Sequence, residues 1–139
     1  MTITYQTDTD GVDWAAMRQA LIDDHFHNGR TVEQYRVSFE NSAHSVIAYD
    51  GERIIGTARM LSDGVCNAYI VDVWTESAYR RQGIAREMLA ILESRAAGQH
   101  VSLWTDDMQA FYEACDYRVN PANTLYEKVV GRWLDNTRE

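Results

Sequence analysis

The chain has 139 residues, 45% of them apolar, which suits one domain with its own core, spanning 1–139. Its net charge of −8 and isoelectric point near 4.9 argue against nucleic acid as a partner, because phosphate binding needs a basic stripe. No apolar run reaches membrane-spanning length, and Met1-Thr2-Ile3-Thr4-Tyr5 lacks the basic and apolar parts of a secretory signal, so a cytoplasmic protein with no membrane partner is expected.

In chain order, Ile3 to Tyr5 reads as a short strand. Asp10-Gly11-Val12-Asp13 opens a helix, with Asp10 as its cap and Trp14, Met17 and Leu21 near helical spacing. Asn28-Gly29 should end it. Thr31 with Gln34 forms a capping box for a second helix. Ser45–Tyr49 is rich in strand formers, Asp50-Gly51 is a hairpin turn, and Arg53–Met60 returns as the partner strand. Ser62-Asp63-Gly64 turns again into a third strand, Asn67–Trp74, where Asp72 stands among apolar neighbours. The longest helix follows the loop Thr75–Tyr79, with Ile84, Met88, Ile91 and Leu92 on one stripe and Gly98 as its stop. Val101–Trp104 is a strand. Asp106 or Asp107 caps a short helix holding Met108, Phe111 and Tyr112. Thr124–Val130 alternates as a last strand, and 131–139 is a polar tail in which Trp133 and Leu134 could dock.

Chemistry concentrates between Val73 and Arg86. A strand ends, a loop turns, and a helix opens at Arg80-Arg81-Gln82-Gly83-Ile84-Ala85. The first helical turn carries N–H groups without helical acceptors, and its dipole favours negative charge, so a pyrophosphate satisfies both. Gly83 lets backbone approach phosphate oxygens, Ala85 is small for the same reason, and Arg80, Arg81 and Arg86 can add charge-assisted bonds. Neither GxGxxG nor GxxxxGK[ST] occurs. The histidines lack metal-ligand spacing, so no metal is expected, and Cys66 and Cys115 read as free thiols.

Arg80-x-x-Gly83-x-Ala85 resembles the cofactor signature of the GCN5-related N-acetyltransferases, written as Arg or Gln, two residues, Gly, one residue, then Gly or Ala. Ala110-Phe111-Tyr112-Glu113-Ala114-Cys115-Asp116-Tyr117 is similar to the family's closing segment, and the order of elements matches from about residue 2 to 130. Asp116 stands where the family often has Gly, and Asp tolerates left-handed backbone better than most residues. Thr105 stands where many members have Asn. Asn67–Val73 and Val101–Trp104 most resemble the plastid-type enzymes and their microbial relatives, which acetylate arylalkylamines such as serotonin, and protein lysines.

The resemblance implies an α/β fold of the α+β kind. It has a mixed, mostly antiparallel sheet of six to seven strands, about four helices, and splayed central strands. It implies acetyl-CoA as co-substrate, attacked directly by a primary amine. Tyr112 is the implied acid for the leaving thiolate, and Asp72 the candidate base. The cofactor would lie on Val73, Trp74, Thr75, Arg80, Arg81, Gln82, Gly83, Ile84, Ala85, Arg86, Thr105 and Tyr112. The acidic chain, with Trp74 and Trp104 at the ends of the splaying strands and Tyr69 farther back, suggests a cationic amine with an apolar or aromatic body. A protein lysine or N-terminal amine as acceptor, and a non-catalytic acyl-CoA sensor, are the alternative readings. A homodimer is expected, with Thr124–Val130 as the edge that pairs.

Overall fold

The computed structural model describes residues 2–131. The chain runs β1 (Ile3–Gln6), α1 (Trp14–Asp23), α2 (Val32–Glu40), β2 (His44–Asp50), β3 (Arg53–Ser62) and β4 (Asn67–Thr75). After a 3-10 turn at Ser77–Tyr79 come α3 (Ile84–Glu93), β5 (His100–Ser102) and α4 (Gln109–Ala114). The five strands lie in sequence order in one sheet. β1 to β4 pair antiparallel, and β5 joins β4 in parallel. This is the expected mixed α/β architecture with five strands among the described residues.

Local chemistry sets most boundaries. Thr31 Oγ1 accepts from Gln34 N and Gln34 Oε1 accepts from Thr31 N, so the capping box opens α2 as expected. α1 is capped by Asp13, which accepts from Ala16 N; Asp10 is not the cap. α1 also ends at Asp23, before the expected Asn28-Gly29. Neither Asp106 nor Asp107 caps α4: Thr105 Oγ1 accepts from Met108 N instead. The expected strand over Thr124–Val130 does not form. Those residues have no place in the sheet, and Leu125, Tyr126 and Val130 are exposed. The edge on which the homodimer expectation rested is therefore not a strand here. The tail at 132–139, with Trp133 and Leu134, lies outside the described residues.

The sheet is covered on both faces. On one, Ile84, Met88, Leu89 and Leu92 of α3 pack on Val46, Ala48, Ile55, Ala58, Met60 and Ile70. Each of the four α3 side chains stabilises the fold by about 1.5–3 kcal/mol, which fixes α3 against the sheet. Gly56 is part of the fit: a Cβ there would stand 3.1 Å from Trp74 O and 3.2 Å from Met88 Cε. On the other face, Met17, Leu21, Tyr35 and Phe39 from α1 and α2 cover Ile47, Ile54 and Trp74. Among the described residues no helix is long and apolar enough to cross a membrane.

Candidate active site

The site begins where β4 and β5 part. They pair only at Asn67↔His100, Ala68↔Val101 and Tyr69↔Ser102. β4 then continues to Thr75 alongside β3, reaching the pair Gly56↔Thr75, and leaves a gap on its β5 side. Glu76 N donates to Ile55 O at 2.8 Å, toward β3. Alternation along the strand then turns the N–H and C=O groups of Thr75 and Val73 toward the gap. Arg80 Nε donates to Thr75 O at 3.2 Å from that side. The splaying expected from sequence is present, and it leaves a short β4 edge with no neighbouring strand.

Within this stretch β4 carries a bulge. The register shifts between Thr57 and Arg59, and Asp72 has φ 55°. The extra residue resets the alternation. Ala68, Ile70 and Val73 pack toward α3, while Trp74 packs toward α1 and α2. Trp74 is only 2% exposed, and its Nε1 donates to Asp24 Oδ2 at 2.9 Å. It is a core residue and not the open aromatic expected beside an acceptor. Trp104 is 59% exposed, with its ring 5.4 Å from that of Tyr69.

Asp72 lies between two guanidiniums. Its oxygens accept from Arg30 Nη1 at 3.0 Å, Arg30 Nη2 at 2.9 Å and Arg59 Nε at 2.6 Å. Burial alone would raise its pKa. The hydrogen bonds and charge of Arg30, then of Arg59, outweigh that and hold the carboxyl below the ordinary 3.8. A carboxylate so engaged is a poor proton acceptor, which sets it apart from the base expected of it. Arg30 is itself held by Asn28 Oδ1 and Ser38 Oγ, over the Tyr35 ring.

The head of α3 has the features of an anion site. Arg81 (φ 64°) and Gly83 (φ 80°) are both left-handed, a turn in which successive N–H groups gather around a concavity. Glu87 N already bonds Gly83 O, so the N–H groups of Ile84, Ala85 and Arg86 precede the helical ladder, and no side chain caps the helix. A Cβ on Gly83 would meet nothing within 4 Å, so the space over the helix head is open to a ligand. Arg80 and Arg81 are exposed beside it. Arg86 Nη2 donates to Ala114 O at 3.1 Å and ties α3 to the end of α4. These features fit a pyrophosphate.

Tyr112 sits on α4, half-buried against the α3-side core, with its ring 5.0 Å from Phe111 and 5.9 Å from Tyr117. Burial, then the neighbouring Cys115, pushes its hydroxyl above the ordinary 10.0, so it stays protonated at neutral pH. It lines a cavity of about 640 Å³ together with Leu103, Thr105 and Leu125. The Thr105 hydroxyl is engaged with Met108 N, as described for α4. Asp116 is left-handed at φ 70°, so the closing turn forms with Asp in place of Gly.

Three residues of this region were not singled out from sequence: Asp24, Arg30 and Arg59. Asp24 accepts from Trp74 Nε1 and from Ser77 N at 3.1 Å, joining the end of α1 to the loop that leads into α3. Arg59 carried a signal, as a charge inside an otherwise apolar strand. Asp24 and Arg30 carried none.

Comparison with known proteins follows the same lines. The model of the acetyltransferase (GNAT) family matches residues 14–117. No curated protein matches the chain. Among solved structures, a GNAT-family acetyltransferase from Streptococcus pneumoniae superposes with a TM-score of 0.77 at 18% identity, covering 94% of this chain and 99% of its own. A candidate acetyltransferase from Deinococcus radiodurans gives 0.77 at 25% identity over 91% and 87%. A predicted acetyltransferase from Clostridium acetobutylicum, solved with acetyl-CoA, gives 0.65 at 19% identity over 91% and 96%.

Proposed function

Because the chain belongs to the GNAT family of acetyltransferases, we propose that its splayed β4 edge and α3 head hold acetyl-CoA for transfer to a small primary amine. The observation that carries this is the combination of an uncapped, left-handed helix entry at Gly83 with a β4 edge at Val73 and Thr75 that has no neighbouring strand. In this reading the N–H groups of Ile84, Ala85 and Arg86 take the pyrophosphate, and Arg80 and Arg81 add charge from the loop. The Val73 and Thr75 backbone pairs with the pantetheine arm as an added strand would. The bound thioester supplies an activated acetyl group and a thiolate leaving group. Tyr112 holds the proton that the departing sulfur needs, and its raised pKa keeps that proton in place at neutral pH. Asp72 serves as the anchor that fixes Arg30 and Arg59.

The acceptor we propose has an apolar or aromatic body, as the arylalkylamines do. What supports this is the Tyr69–Trp104 pair, whose rings stand on the face opposite α3 next to the gap. Stacking there is worth about 0.5–1.5 kcal/mol beyond burial. The test is release of free CoA thiol from acetyl-CoA with tryptamine, serotonin, a polyamine, a lysine peptide and an amino sugar. Tryptamine and serotonin are expected to show the higher kcat/KM. A clear preference for the lysine peptide would move the assignment to protein acetylation. No release with any amine would leave an acyl-CoA sensor.

A further inference from the structure

On the acceptor face of β3 and β4, charge does not balance. Arg30 and Arg59 share one carboxylate, Asp72. Arg30 is buried and its donors are engaged by Asn28, Ser38 and Asp72. Arg59 differs. Its Nε is bound to Asp72 at 2.6 Å, its Nη1 reaches only Ser42 Oγ at 3.4 Å, and its Nη2 donates to no described residue. Its side chain keeps 15% exposure.

Its position matters as much as its spare donors. Ala58, Met60, Ala68 and Ile70 pack toward α3, so Arg59, Leu61, Tyr69 and Val71 face the other way. Arg59 pairs with Val71 and Leu61 with Tyr69, which makes Arg59 and Tyr69 diagonal neighbours on that face. Trp104 continues the same surface. The other acid that acts on Tyr69 besides Asp72 is Glu127, which is exposed and forms no ion pair with Arg59. A guanidinium over the Phe39 ring, with Nη2 as its spare donor, thus stands diagonal to Tyr69 at one end of this surface.

We propose that the acceptor carries, besides its amine and its apolar body, an oxyanion (a carboxylate or a phosphate) that accepts from Nη2 of Arg59. This rests on the acetyltransferase reading of the same gap and replaces the purely cationic acceptor expected from sequence. The chemistry favours it in two ways. A bond from Nη2 to an ionised oxygen is charge-assisted, and partial burial strengthens it. Asp72 at Nε and the Phe39 ring, 5.8 Å from the guanidinium carbon, already hold the group, so little side-chain freedom is lost when the anion arrives.

The experiment uses matched amines that differ in the anion alone: tryptophan against tryptamine, and O-phosphotyramine against tyramine. Thiol release gives kcat/KM for each, with the parent protein and with Arg59→Lys, which keeps a charge for Asp72 but loses the Nη2 donor. The anionic member of at least one pair is expected to lead by tenfold or more, and which pair it is separates carboxylate from phosphate. Arg59→Lys should bring that ratio close to one. A parent ratio near one in both pairs, or a ratio untouched in Arg59→Lys, overturns the inference while the acetyltransferase reading stands. No release with any amine overturns both. Should Arg59→Lys fail to fold, the parent's ratios decide.

Discussion

Replacing Tyr112 with phenylalanine is expected to slow turnover by about 100- to 10,000-fold, the usual contribution of a positioned general acid. Acetyl-CoA affinity should change little, because the ring and its contacts with Phe111 and Tyr117 remain. The hydroxyl makes no hydrogen bond to a described residue, so its removal breaks nothing in the fold. Steady-state rates at saturating acetyl-CoA, under conditions where chemistry limits, provide the check. A rate within about twofold of the parent would assign Tyr112 to packing.

Asp72→Ala should destabilise the protein by about 3–5 kcal/mol, since it strands two largely buried guanidiniums without a counter-charge. Urea unfolding would measure this as a lowered midpoint at unchanged slope. The acid limb of the stability curve carries the same information. The folded pKa of Asp72 is depressed, so its contribution is complete above the ordinary value of 3.8 and is lost as pH falls through the lower folded value. Asp72→Asn should therefore flatten that limb. A variant as stable as the parent, with the same acid limb, would mean that solvent already satisfies the two arginines.

What could be read from sequence was what depends on neighbours in the chain. The Thr31–Gln34 box and the α3 stripe each involve residues within one turn or one helix face and are present, and the hairpin expected at Asp50-Gly51 forms one residue on, with Gly51 and Glu52 between the paired Asp50 and Arg53. The Gly83 entry belongs with them, because the chemistry of a helix head is local. Misreadings arose where distant contacts decide. α1 stops at Asp23 because His25 turns left-handed, φ 59°, and Phe26 N bonds back to Leu21 O, a closing turn made without the glycine that signals one, while the Asp24 side chain ties that end to Trp74 and Ser77 far along the chain. Trp74 was expected beside the acceptor because it ends a splaying strand, yet α1 and α2, from far earlier in the chain, cover it. The bulge adds one residue and moves Trp74 to the opposite face. Asp72 was expected as a candidate base, and its pairing with Arg30 was not legible, because Arg30 approaches it from the loop between the helices and no spacing rule connects the two. Thr124–Val130 alternates as a strand would, yet alternation supplies no partner, and among the described residues it finds none.

Binding of acetyl-CoA at the head of α3 is the claim on which the rest depends, and thermal unfolding with and without it tests that claim most directly. At about 100 times its dissociation constant the ligand should add roughly 2.7 kcal/mol, a rise in Tm of about 6–10 °C for a domain of this size. Gly83→Val, which forces a β-branched residue into a left-handed position and fills the open space over the helix, should abolish that rise. The account predicts a large shift for the parent and none for the variant. No shift for the parent at millimolar acetyl-CoA, or the same shift in both proteins, would contradict it.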